Sequence, residues 1–104
     1  MDAKIKAAWI TALRSGKFQQ ARGALRTPTN KFCCLGVLCE LVHPDRWDNS
    51  GREWRHCDFG SMPSWEVLAA AGLDDDDSPE TLANMNDEGR SFAEIADYIE
   101  KIIP

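Results

Sequence analysis

Four cysteines and two histidines are the side chains that could do thiol or zinc chemistry: Cys33, Cys34, Cys39, His43, His56 and Cys57. Zinc takes four thiolate or imidazole ligands in a tetrahedron. Cys39 and His43 stand one helical turn apart, a workable i, i+4 pair. His56 and Cys57 would have to approach from a later segment. No Cys-x-x-Cys knuckle is present, and Cys33, Cys34 and Cys39 are embedded among Leu35, Val37 and Leu38. That setting favours buried free thiols over ligands. Nucleophilic catalysis needs a thiolate beside a base. Cys57 next to His56 is the one candidate in a polar setting, and sequence neighbours do not generally face each other. The main reading therefore assigns no catalytic residue, no metal and no cofactor. The alternative is a zinc-binding or small Cys/His-dependent enzyme module.

Binding chemistry has better material. Trp47 and Trp54 lie in a polar stretch with Arg46, Arg52 and Arg55, and Trp and Arg are enriched at interface hot spots. Trp9 and Trp65 instead fall at helical core positions. The run Asp74, Asp75, Asp76, Asp77 lacks the Asp-x-Asp-x-Asp-Gly spacing of a calcium loop and reads as a solvated, exposed segment. Trp47, Trp54 and Asp74 to Asp77 are the candidate partner-binding residues. Asn86-Asp87-Glu88-Gly89 reads as a helix end with a Gly turn.

These residues need a scaffold, and its centre is Lys31 to Val42, the longest apolar run, with Glu40 its one charge after Lys31. Twelve residues are too few to cross a bilayer, which takes about 20. The run predicts a buried central helix from about Cys34 to Val42, ended by His43-Pro44. Gly36 within it predicts close approach of another element.

Around that helix the sequence predicts several more elements. Asp2 to Ser15 has Ile5, Trp9, Ile10 and Leu13 on one face and Gly16 after its end. Ala24–Arg26 and Lys31–Cys33 are expected to form a small hairpin about the turn Thr27-Pro28-Thr29-Asn30. Glu53 to Phe59 alternates weakly, with Trp54 and either Cys57 or Phe59 inward. Pro63 to Ala71 is a helix with Trp65, Leu68 and Ala69 inward, capped by Ser61 or Ser64. Ser78 caps a helix carrying Leu82 and Met85 on its inner face. Ser91-Phe92-Ala93-Glu94 is a capping box that opens a last helix with Phe92, Ile95, Ala96, Ile99 and Ile102 or Ile103. The expected architecture is α+β, mainly α: four or five helices around a central buried helix, with a small hairpin or short sheet, in a single domain of residues 1–104.

Twelve basic and seventeen acidic residues give a net charge of -5. Phosphate contacts from Lys and Arg dominate nonspecific nucleic-acid affinity, so direct nucleic-acid binding is disfavoured and a basic protein partner is favoured. No apolar h-region follows the charged N-terminus, and no membrane association is expected. The expected location is the cytoplasm, where the thiols stay reduced.

Several segments carry a family resemblance: Trp9 to Gln20, Gly23-x-Leu25-Arg26, Phe32-Cys33-Cys34-Leu35-Gly36-Val37-Leu38-Cys39, and Leu82 to Glu100 with its Asn86-Asp87-x-Gly89-x-Ser91-Phe92 segment. Together they resemble a family of small bacteriophage and prophage proteins. The likeness covers about two thirds of the chain and is loose from Pro44 to Asp77. It implies a phage context and brings no activity and no catalytic residues. Context and charge together point to an acidic accessory protein in the host cytoplasm that binds and inhibits a host protein. A host-defence inhibitor of the anti-CRISPR kind suits them, imitating nucleic-acid charge on a nucleic-acid-binding complex.

Overall fold

Asp2 starts the fold. Its carboxylate accepts from the Ile5 backbone N–H at 2.9 Å, satisfying one of the amides that a helix N-terminus leaves free. The helix it caps, α1 (Ala3–Arg14), buries Trp9, Ile10 and Leu13. The chain then turns through left-handed Gly16, with φ 76°. The computed structural model describes residues 1–51, 53–74 and 77–104.

The centre is α2 (Cys34–Val42), buried continuously from Cys34 to Cys39. Its N-cap is Cys33, whose Sγ accepts from the Gly36 N–H at 3.3 Å. A Cβ on Gly36 would overlap the Leu25 carbonyl, so glycine is what lets the fully buried Leu25 segment lie directly on the helix. Trp9 Nε1 donates to the Cys34 carbonyl at 2.9 Å, tying α1 to α2 through the core. Three more helices surround this centre: α3 (Trp65–Ala71), α4 (Ser78–Asp87) and α5 (Phe92–Ile102). Helix α2 packs on α1, α3 and α4, and α5 runs along α1 and touches α4. Arg14 reinforces the α1–α5 seam through Asp97 at 2.6 Å and Glu100 at 3.2 Å. The strands β1 (Trp47–Asp48) and β2 (Arg55–His56) form a two-stranded antiparallel sheet that pairs Trp47 with His56 and Asp48 with Arg55. The architecture is α+β and mainly α, as the sequence led us to expect. Among the described residues no helix is long and apolar enough to cross a membrane.

Several local expectations are corrected. The Ala24–Arg26 and Lys31–Cys33 hairpin shrinks to single bridges of Phe32 with Arg26 and with Gln20. Its turn does form, with Thr27 N–H donating to the Lys31 carbonyl at 2.7 Å. The ladder stops there because Cys33 is taken as the cap of α2. Trp65 is 72% exposed, since α3 is short and turns Val67 and Ala71 inward instead. Leu41 is 37% exposed, because only the N-terminal two thirds of α2 is covered all round. In the middle segment His56 is the fully buried residue, while Phe59 is 51% exposed. Asp77, where Ser78 was expected, is the N-cap of α4. The capping box at Ser91 and Glu94 is present.

Candidate functional site

The thiols fall where apolar sequence put them. Cys33, Cys34 and Cys39 are buried, and burial pushes all three pKa values up, that of Cys34 well above its ordinary value. A buried thiol of this kind is held away from the nucleophilic thiolate. Cys34 Sγ donates to the Leu82 carbonyl at 3.5 Å. Cys57, at φ 50°, directs its Sγ to Glu66 Oε2 at 3.8 Å. His56 turns the other way. Its Nε2 lies 2.8 Å from the His43 carbonyl oxygen, and a carbonyl only accepts, so Nε2 is the donor of this bond. His56 Nδ1 is buried and has no hydrogen-bond partner among the described residues. His56 and Cys57 thus diverge and form no base–nucleophile pair. Among the described residues no group of three or more His, Cys, Asp or Glu is arranged to hold a metal ion.

The tryptophans gather around an arginine. Trp47 pairs across the sheet with His56, and its ring meets the His56 ring at 4.8 Å and the Phe32 ring at 5.8 Å, both edge to face. Its Nε1 donates to Glu40 Oε2 at 2.6 Å. That bond explains why the central helix tolerates a charge: Glu40 anchors the sheet to α2. Trp54, half-buried, stands edge to face with Trp47 at 6.2 Å. The Arg26 guanidinium lies 3.7 Å from the Trp54 ring centre, and 5.2 and 5.3 Å from those of Phe32 and Trp47. Burial lowers the Arg26 pKa, opposed only by the charge of Glu40. Arg26, Trp54, Arg55, Asp58, Phe59 and Ser61 are among the walls of a groove of about 510 Å³. Trp54 therefore lines an open surface, and Trp47 supports it from behind.

The acidic run is a separate feature. Asp74 and Asp77 are exposed in the turn between α3 and α4 and do not line the groove. Asp75 and Asp76 lie outside the described residues. From Asp74 to Glu88 the chain carries seven acids and no base. Asp74, Asp77, Glu80 and Glu88 are exposed and make no ion pair among the described residues. Asp87, at the far end of α4, accepts from the Gly23 N–H at 3.0 Å.

Sequence reasoning missed two residues that matter. Arg26 was assigned to a strand, and no local signal links it to Trp54, far along the chain. Asn86 was read as part of a terminal turn, yet it is fully buried. Its Oδ1 accepts from Cys34 N–H at 3.1 Å and from Gln20 Nε2 at 3.0 Å, and its Nδ2 donates to the Ala21 carbonyl at 2.7 Å. The signal was available: Asn86 stands four residues after Leu82, on the inner face of α4.

No curated protein and no solved structure matches the chain. A family model described as Domain of unknown function (DUF8296) matches residues 1–103, and the chain belongs to that family.

Proposed function

We propose that this protein is a phage-type accessory factor that binds and inhibits a host protein in the host cytoplasm. The target is a basic, nucleic-acid-binding site, which the protein occupies by imitating nucleic-acid charge. A host-defence inhibitor of the anti-CRISPR kind fits this description. The observation that carries the reading is the segregation of charge. Seven acids without a base fall between Asp74 and Glu88, so the rest of the chain holds ten acids against twelve bases. Exposed carboxylates without internal partners are free to meet Lys and Arg on another protein. The likeness of Phe32–Cys39 and Asn86–Phe92 to phage and prophage proteins supplies the context. Trp54, at the groove wall, is the apolar anchor of the contact.

A pull-down from host lysate with the full chain tests the reading. The expected result is one stoichiometric protein partner that elutes with rising salt. Recovery of no partner, or of nucleic acid in place of protein, would overturn it.

A further inference from the structure

Arg26 is placed as a recognition group is placed. Its guanidinium is stacked on Trp54, which fixes its plane. Its Nε donates to Asn30 Oδ1 at 2.8 Å, which fixes its rotation. Asn30 is itself held at φ 65° in the Thr27–Asn30 turn, closed by its N–H to the Thr27 carbonyl at 2.9 Å. The two terminal nitrogens of Arg26 have no protein acceptor among the described residues, and no carboxylate lies within ion-pair distance of it there. In a chain with excess acid, a partly desolvated guanidinium left unpaired is a cost that a bound anion would remove.

The groove in front of Arg26 has a size and lining suited to more than a bare anion. Its volume of about 510 Å³ lies in the range of small-molecule sites. One face of Trp54 is taken by the Arg26 guanidinium, and the half-exposed Phe59 on the same walls offers flat apolar surface, on which a planar ring can stack. Glu53 and Asp58, on the same walls, accept hydrogen bonds from amino or hydroxyl groups. They also balance Arg26 and Arg55, so the groove has no excess of positive charge with which to favour a ligand of many negative charges.

We infer that the groove binds a free nucleoside monophosphate. The phosphate takes the open fork of Arg26, the base stacks on Phe59, and Glu53 or Asp58 accepts from its amino or ribose hydroxyl groups. A planar fork gives bidentate phosphate recognition that an ammonium cannot reproduce. This site shares Trp54 with the proposed partner contact but not the acidic segment that carries that reading, so failure of nucleotide binding leaves charge imitation standing.

The test is calorimetric titration of the full chain with the four common nucleoside monophosphates. Inorganic phosphate, the unphosphorylated nucleosides, a short 5′-phosphorylated oligonucleotide and an acidic peptide are the comparison arms. At least one monophosphate is expected to bind with a Kd below about 1 mM and at least about tenfold tighter than every comparison arm. Arg26→Lys, checked for folding by circular dichroism, is expected to weaken that binding about tenfold. Phe59→Ala, at a side chain 51% exposed, is expected to weaken it while leaving the melting temperature unchanged. Absence of monophosphate binding to the folded chain would overturn the inference. So would equal or tighter binding of phosphate, nucleoside, oligonucleotide or peptide, and so would unchanged affinity in folded Arg26→Lys or in Phe59→Ala.

Discussion

Asn86 satisfies groups on two segments that come far before it in the chain, the amide of Cys34 and both the side chain of Gln20 and the carbonyl of Ala21. The Cys34 N–H belongs to the first turn of α2, where the helix itself supplies no acceptor. Removing the carboxamide leaves the buried Cys34 N–H and the Ala21 carbonyl without that partner, at about 1–3 kcal/mol each, while the part-buried Gln20 keeps its bond to the Arg90 carbonyl. Asn86→Ala is therefore expected to destabilise the fold by about 2 kcal/mol or more, measured by urea unfolding. A loss below about 1 kcal/mol would show that water or relaxation replaces it. The thiols make a second prediction at this scale. Burial raises the pKa values of Cys33, Cys34 and Cys39 in the folded state. Between the unfolded value of about 8.5 and the raised folded values, the unfolded chain binds fewer protons, so stability falls as pH rises. The stabilisation is fully present below about pH 8.5 and declines above it, by up to roughly 1.4 kcal/mol per pH unit for each thiol. Unfolding at pH 8 and pH 10 reads this directly. Equal stability at both would contradict it, and Cys39→Ala is expected to flatten the slope.

At the scale of elements, legibility followed the number of periodic contacts that fixed each one. Helices α1 and α5 were readable because each carries a cap and an apolar face repeated over several turns, Asp2 with Trp9 and Leu13, Ser91 with Ile95 and Ile99, and α2 was readable as an unbroken apolar run stopped by His43-Pro44. Helix α3 has only seven residues. Two turns cannot distinguish a Trp65–Leu68–Ala69 face from a Val67–Ala71 face, and tertiary packing chose the second. The sheet was hard to place because each strand has two residues, too few for alternation to appear. What holds it is its tie to α2 and the residue that caps it, the Trp47–Glu40 bond and the His56–His43 bond, neither of which strand alternation encodes. Arg26 was invisible as a site residue for the same reason, since its partners are Trp47 and Trp54. Gly36 was legible in kind: a glycine inside a buried helix implied a close neighbour, and that neighbour is the Leu25 backbone. Backbone cannot yield as a side-chain tip can. Gly36→Ala is expected to cost about 1–3 kcal/mol or more, despite alanine's better helix propensity. A stabilised variant in thermal unfolding would mean that Leu25 is free to move off the helix.

The whole molecule joins an almost neutral body to one strongly acidic segment, and its proposed mode of action depends on that asymmetry. Long-range attraction between this segment and a basic site speeds encounter and fades with salt, because the Debye length falls from about 10 Å at 0.1 M to about 3 Å at 1 M. Changing Asp74, Asp75, Asp76 and Asp77 to Asn together should slow association with the captured partner. Melting temperature should hardly move, because the described members of the run, Asp74 and Asp77, are exposed and Asp77 caps α4 without a side-chain hydrogen bond. Trp54→Ala should act differently. An aromatic anchor desolvated in a contact governs how long the complex lasts, so the change should raise the dissociation rate and leave the salt dependence of association intact. Trp54 also supports Arg26 and Trp47, so circular dichroism of the variant must accompany the kinetics. Stopped-flow or surface binding measurements at two salt concentrations separate the two effects. Association that ignores both salt and the Asp→Asn changes would eliminate charge imitation as the mode of binding.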